Sequence, residues 1–478
     1  MPDLDDAVSA FRESFGGEVI APSDAGYDQA RSVWNGDIDR RPALIVRPSG
    51  APAVAQAITF ARGEGLEVSV RGGGHSYAGH GVCDGGLMID LSRLDEIAVD
   101  APARRVRCGG GTTWGQLDAA TQEHSLAVTG GFISTTGVGG LTLGGGMGWL
   151  TARAGLSCDN LVSAEIVTAD GRTVTASQDD NPELFWALRG GGGNFGIVTT
   201  FEFALHDVPQ LTQLGMFFWD VEHGREGLRF SRDLVRSLPD DMGSLIAGLS
   251  APEAPFVPAE YQGKPGFAVL VAGWGTPEEH AAAVAPVQRM TSPPQWQLIT
   301  PVPYVQLQQM FNEDSPWGVY NYEKALYLDE LSDEAIDIFV DQLPRKTSPL
   351  SFVPVFPLSG AFSRTDDQAT AFGGSRNGAW VFNISATCST PELLDKDREW
   401  VRDFWKALRP QAASSGGYVN FLTEADQDRV RISYGPEKYD QLARIKAAWD
   451  PENVFHRNAN IRPAAGTPAA ATPSSELA

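Results

Sequence analysis

The sequence predicts an α+β chain built in two parts, and three observations predict it. Short strands and helices alternate up to about Phe203. Composition then shifts at about Pro209, where glycine thins out and proline and aromatic residues rise. Strand patterns beyond that point are interspersed with amphipathic helical ones, the pattern of an antiparallel sheet covered by helices. A length of 478 residues agrees, since about 150 residues per domain gives two or three domains. The expected division is 1–208, 209–415, a C-terminal segment 416–463, and a disordered Ala/Pro/Thr/Ser-rich tail over 464–478.

Element by element, a first helix is expected from Leu4 to Phe15. Ala43 to Pro48 reads as a buried strand, Ala51 to Glu64 carries apolar residues at helical spacing, and Leu66 to Val70 is again a strand, which makes a β-α-β unit. Strands follow at Gly86 to Leu91 and within Ile97 to Val106, then a helix from Thr113 to His124. Ala164 to Ala169 and Arg172 to Thr175 flank Asp170-Gly171, whose residue types supply the positive-φ positions of a hairpin turn. In the second part, helices are expected at Pro277 to Met290 and Leu331 to Leu343, with strands at Phe267 to Ala272, Lys324 to Leu328 and Trp380 to Ala386. Leu393 to Leu408 and Tyr439 to Asp450 are amphipathic helices.

Composition removes several classes of function. With 42% hydrophobic and 20% charged residues the chain is neither fibrous nor disordered. A net charge of −23 repels phosphate backbones and anionic lipid, so neither nucleic acid nor a membrane surface is an expected partner. Ser125 to Ala152 is uncharged and long enough to span a bilayer, but its many glycines make a poor membrane helix. The first residues carry no basic and apolar leader, so a cytoplasmic enzyme, monomer or homodimer, is expected. Cys83, Cys108, Cys158 and Cys388 have no metal-binding spacing and read as free buried thiols. No metal site is expected.

Glycine is unevenly distributed: 27 of the 52 fall between Arg71 and Gly196. Glycine loses more backbone entropy on folding than any other residue, so such crowding marks a place where backbone approaches something closely. Three clusters carry it. In Arg71-Gly72-Gly73-Gly74-His75-Ser76 a strand runs straight into three glycines, which lets successive N–H groups point at one anion. The second is Thr136-Gly137-Val138-Gly139-Gly140-Leu141-Thr142-Leu143-Gly144-Gly145-Gly146, and the third Arg189 to Val198, with Gly192, Asn194, Gly196, Ile197 and Val198. None fits the Rossmann fingerprint or the P-loop.

Together the clusters resemble the flavin-binding domain of the berberine bridge enzyme-like oxidases, in the PCMH-type, vanillyl-alcohol oxidase superfamily. Gly155-Leu156-Ser157-Cys158-Asp159-Asn160 and Asn458-Ala459-Asn460-Ile461 also match. The resemblance extends over about 40–463, and implies that 416–463 returns to the first domain. It implies FAD as cofactor, with His75 in the place of the histidine bonded to the flavin 8α-methyl. Imidazole suits that role as a neutral nucleophile, and ring alkylation raises the flavin's potential. A second, cysteinyl bond common in the family has no counterpart, since Ile133 stands at that position. Thr136 occupies the place thought to govern oxygen access. The resemblance thus implies Arg71, Gly72, Gly73, Gly74, Ser76, Thr136, Gly137, Gly139, Gly140, Gly144, Gly146, Asp159, Gly192, Asn194, Gly196, Ile197, Val198, Tyr418, Asn458 and Asn460 as cofactor contacts.

Hydride transfer from an alcohol or amine needs a base within reach of the substrate proton. Gly416-Gly417-Tyr418-Val419-Asn420 resembles the family's Tyr-x-Asn segment, and in a strand Tyr418 and Asn420 would share one face. Lys324 matches, more loosely, a family segment that places a lysine near the active site, and Tyr322 is an alternative active-site phenol. His80 and His456 are weaker candidates. The family's histidine after an Ala-Phe pair is absent, because Ala371-Phe372 is followed by Gly373. The expected function is an FAD-linked oxidase acting on a secondary alcohol or amine of a small organic substrate, with O2 reduced to H2O2. A dehydrogenase with another acceptor, or a flavin-binding protein without turnover, are the alternatives.

Overall fold

The computed structural model describes residues 4–413, 416–423 and 427–465. The tail expected to be disordered therefore lies, from residue 466 on, outside the described residues. A four-stranded and a five-stranded sheet build most of the glycine-rich part. In the first, parallel strands Leu44–Pro48, Leu87–Asp90 and Val68–Arg71 lie side by side, with Gly17–Ile20 antiparallel at one edge. Helix Ala51–Gly63 makes the crossover. Pro52 occupies its first turn, where a missing N–H is harmless, and Val54, Ala57, Ile58 and Ala61 bury one face completely.

The second sheet is antiparallel, in the order Ile97–Asp100, Arg105–Gly109, Ile197–Ala204, Leu161–Val167, Thr173–Ser177. The expected hairpin is there, with Gly171 at φ 83° and Ile166 paired to Val174. Ile97 to Val106 is two strands, because Arg104 turns the chain at φ 51°.

A seven-stranded antiparallel sheet forms the other layer, in the order Trp296–Pro303, Leu211–Asp220, Pro265–Gly273, Gly243–Ser250, Val353–Leu358, Ala379–Cys388, Tyr320–Leu328. Sequence patterning found the three of these strands at 265–273, 320–328 and 379–388. It missed others for a physical reason: Trp296–Pro303 and Val353–Leu358 carry two prolines each, which cannot donate to a ladder, and the first is tolerated at the sheet edge. Proline also shortens the helix expected over Pro277 to Met290, which runs only to Val284 before a 3-10 turn that begins at Ala285-Pro286.

Alternation gives this sheet two faces. Phe217, Trp219, Ile246, Val269, Val271, Leu326 and Phe382 pack under helices Gly224–Ser237, Asp333–Gln342 and Pro391–Leu408. Leu214, Leu245, Leu270, Tyr327 and Val381 turn the other way, toward Met147, Trp149, Leu156 and Tyr418 of the glycine-rich part and the C-terminal segment. All four cysteines are free and buried. Among the described residues no helix is long and apolar enough to cross a membrane, and no cluster of side chains suits a metal.

Helix Trp114–Gln122 meets the short helix Tyr304–Gln309, and there Asp118 is fully buried, accepting one bond from Gln308 Nε2 at 3.0 Å. Burial pushes its carboxyl from 3.8 up to about 7. A raised folded-state value means that the group's contribution is intact below about pH 4 and is lost as pH rises to about 7. Asp118→Asn is therefore expected to melt like the parent at pH 4 and to be more stable at pH 8, by up to about 4 kcal/mol. Equal melting shifts at the two pH values would contradict this.

Candidate active site

Strand Val68–Arg71 delivers the first glycine loop. Its last residue is clamped, with Arg71 Nε and Nη2 donating to Asp90 at 3.2 and 2.5 Å and Nη1 to the Ser32 carbonyl at 2.8 Å. Beyond it the first and second clusters pack backbone to backbone, so that a Cβ on Gly73 would strike Gly137 and one on Gly137 would strike Gly73. Among the described residues, the N–H groups of Gly72, Gly73, Gly74, His75 and Ser76 donate to no protein acceptor. They open on a cavity of about 840 Å3, which is also lined by Thr136, Gly137, Gly139 and Gly140 of the second cluster and Gly192, Gly196, Ile197 and Val198 of the third.

A Cβ on Gly140 or Gly193 would meet nothing within 4 Å. Asn458 donates through Nδ2 to the Gly193 carbonyl at 3.0 Å, while its buried Oδ1 has no partner among the described residues. A row of unpaired amides, an open glycine cradle and an orphaned amide oxygen are what a dinucleotide with its pyrophosphate requires. The residues present fit FAD.

His75 projects into the same cavity. Its ring stacks on Trp34 at 5.0 Å and 19°, meets Trp317 edge-on at 5.9 Å, and through Nε2 contacts Thr135 Oγ1 at 2.8 Å. Burial lowers its pKa to about 3, so the imidazole is neutral at physiological pH. Thr135 and Trp34 carry no sequence signal of this role. Their value comes from where the His75 loop folds.

Tyr418 and Asn420 come together, but not as neighbours on a strand. Val419–Phe421 is a 3-10 turn closed by the Phe421 N–H on the Tyr418 carbonyl at 2.9 Å, so the segment has no ladder partner. The Tyr418 hydroxyl accepts from the Gly146 N–H at 2.7 Å and from Asn420 Nδ2 at 2.8 Å. Burial raises its pKa, against the lowering effect of those two donors. Both side chains line the cavity.

Seven expected site residues lie elsewhere. Lys324 and Tyr322 sit on the helix-covered face of strand Tyr320–Leu328: the Lys324 ammonium is 5.0 Å from the Trp405 ring, and the Tyr322 hydroxyl accepts from Arg402 Nε at 3.2 Å. Strand parity decides this, since even-numbered residues here face the helices. The cavity side is served by Glu323, fully buried, which accepts from Asn383 Nδ2 at 2.8 Å, and by Asn383, which lines the cavity. Asp159 is taken by a buried bidentate pair with Arg376 at 2.7 and 2.8 Å and caps the Leu156 N–H. Asn194 ties the third loop to the C-terminal segment, donating to Gly191 and Ala459 carbonyls and accepting from the Ile461 N–H. Gly144 and Gly146 make room for Asn420 and Ser157 rather than for a ligand. Asn460 is outside the cavity lining.

Of the weaker candidates, His80 lines the cavity, with its pKa lowered to about 4 by burial, and His456 is held between Glu67 and the Asn453 carbonyl, both at 2.9 Å. Lys446, which sequence reading passed over, is completely buried. Its ammonium satisfies the Asn194 carbonyl at 2.6 Å, Asp450 at 2.6 Å and the Phe455 carbonyl at 3.0 Å, and so fastens the third glycine loop to the C-terminal helix.

Two family models match this chain: "FAD binding domain" over residues 42–177 and "Berberine and berberine like" over 417–462. The (R)-6-hydroxynicotine oxidase of Paenarthrobacter nicotinovorans is 31% identical over 475 residues, covering 94% of this chain and 97% of that protein. The chain belongs to the berberine bridge enzyme-like FAD-linked oxidases. Solved structures agree with this family's fold. The 6-hydroxy-D-nicotine oxidase from Arthrobacter nicotinovorans superposes with a TM-score of 0.83 at 28% identity, covering 94% of this chain and 99% of that one. A glucooligosaccharide oxidase from Acremonium strictum does so with a TM-score of 0.83 at 24% identity, covering 96% and 99%. In this berberine bridge enzyme-like oxidase FAD is the cofactor.

Proposed function

We propose that this enzyme holds FAD through one covalent bond, at His75, and oxidises a secondary alcohol or amine by hydride transfer, with O2 as the final acceptor and H2O2 as product. In this reading 1–208 with 416–463 holds the cofactor and 209–415 the substrate. One observation carries the linkage: a neutral imidazole projects into the cavity from a loop of five unpaired amides. The Acremonium glucooligosaccharide oxidase carries a 6-S-cysteinyl, 8α-N1-histidyl FAD. Here Ile133 stands where the resemblance places the cysteine, so a single bond is expected.

Bound FAD supplies the hydride acceptor and the reaction with O2. The chain's own work is proton handling and positioning. Two N–H donors converge on the Tyr418 oxygen and favour its phenolate, and in that deprotonated form it can receive the proton of a substrate hydroxyl. The test is acid precipitation followed by anaerobic reduction. Flavin should stay on the polypeptide, its visible band should bleach with a reducing substrate, and air should restore it with one H2O2 per cycle. Flavin freed by acid overturns the linkage; bleaching that air does not reverse overturns the oxidase reading and favours another acceptor.

A further inference from the structure

The cleft-facing side of the large sheet is mainly apolar, with the buried polar groups Glu323, Asn383 and Ser385 gathered at the end formed by strands Ala379–Cys388 and Tyr320–Leu328. Register aligns Leu298, Met216, Leu270 and Leu245 in one row across four adjacent strands. In the next row Ala268 and Ala247 are paired neighbours, and their small side chains leave a hollow beside the stacked rings of Phe218 and Trp296, 5.2 Å apart at 13°. All but Phe218 line the cavity. From Phe356, on the neighbouring strand of the same sheet, an aromatic run leads to Tyr418 and Asn420: Phe132 to Phe356 at 5.0 Å, Phe356 to Phe421 at 6.0 Å, and Phe421 to Tyr418 at 4.9 Å.

Against this apolar surface the sheet supplies three polar side chains to the cavity, Ser250, Thr300 and Asn383. Glu313 and Asp314, exposed on the loop after helix Tyr304–Gln309, are the only charged side chains that residues 209–415 contribute to the described lining. Resting on the oxidase reading above, we infer that the substrate is a mainly apolar, ring-bearing molecule with one polar, oxidisable end, neutral or cationic, and not a carbohydrate. The physical reason is desolvation. Each sugar hydroxyl buried without a partner loses roughly tenfold in affinity or more, and a sugar ring presents several to a wall that can pair with few. An apolar ring gains from the same wall, and its single hydroxyl or amine finds Tyr418, Asn420 and Asn383 at the cofactor end. The acidic rim disfavours anions.

The test uses the flavin-loaded enzyme and three probes, 1-(2-naphthyl)ethanol, 1-(2-naphthyl)ethylamine and cellobiose, titrated by the perturbation of the flavin spectrum and then mixed anaerobically. The naphthyl compounds are expected to bind at least tenfold more tightly than cellobiose. Ala268→Phe, which fills the hollow, should weaken them at least tenfold while leaving the covalent flavin content unchanged. Cellobiose binding as tightly as the naphthyl compounds, or naphthyl binding indifferent to Ala268→Phe in flavin-loaded protein, overturns the substrate class. Tight naphthyl binding without bleaching upholds that class and counts only against the oxidase reading, so the two failures are told apart.

Discussion

His75→Ala protein is expected to release all of its flavin on acid precipitation, where the parent retains it. The structure explains why this single side chain matters so much. A histidine attacks only as neutral imidazole, and an ordinary one, with a pKa near 6.5, is more than nine-tenths protonated by about pH 5. His75 has its pKa lowered to about 3 by burial, so its nucleophilic form persists across that range. Attachment of added FAD to apoprotein should accordingly run at nearly the same rate between about pH 5 and pH 8. A fall following a pKa near 6.5 would contradict the burial argument. Thr135, in contact with Nε2 at 2.8 Å, fixes which nitrogen is engaged, and the Trp34 stack fixes the ring plane. Thr135→Val should therefore slow attachment while sparing the amount finally attached. If His75→Ala keeps its flavin through acid, the attachment point is elsewhere.

Tyr418→Phe is expected to slow anaerobic flavin reduction by an alcohol substrate by about 10^2- to 10^4-fold, the usual worth of a positioned general base. Burial raises this phenol, so the proton-accepting form is scarce at neutral pH, and the Gly146 and Asn420 donors restore part of its acidity. In the parent enzyme, reduction should quicken as pH rises toward the phenol's raised pKa. In Tyr418→Phe that slope should vanish while flavin content is unchanged. Unaltered reduction rates would remove Tyr418 from the chemistry and leave it a packing residue among Phe372 and Phe421.

Much of the glycine cradle was legible because its signal is local. Three glycine clusters, each within about ten residues, announce close backbone approach, and the strand before the first places His75 at its mouth. Tyr418 and Asn420 do meet, but through a 3-10 turn, because the segment closes on itself instead of joining a sheet. The residues that lie away from the cavity share one cause. Lys324, Tyr322, Asp159 and Asn194 have the right chemistry, yet partners from distant parts of the chain engage them: the Trp405 ring for Lys324, Arg402 for Tyr322, Arg376 for Asp159, and the Ile461 amide for Asn194.

The sequence by itself determined that this chain is α+β, that glycine crowds between Arg71 and Gly196 where backbone must make close approaches, and that His75 follows the first of these clusters. A strand over Lys324 to Leu328 was legible too. Only the tertiary structure decided which face of that strand turns to the cavity, because that depends on where helix Pro391–Leu408 docks. It alone revealed Thr135 and Trp34 around His75, and Lys446 beneath the third loop. Local conformation follows from neighbours in sequence, whereas burial and the choice of polar partner follow from long-range packing, in which any of several chemically equivalent residues can occupy a given place.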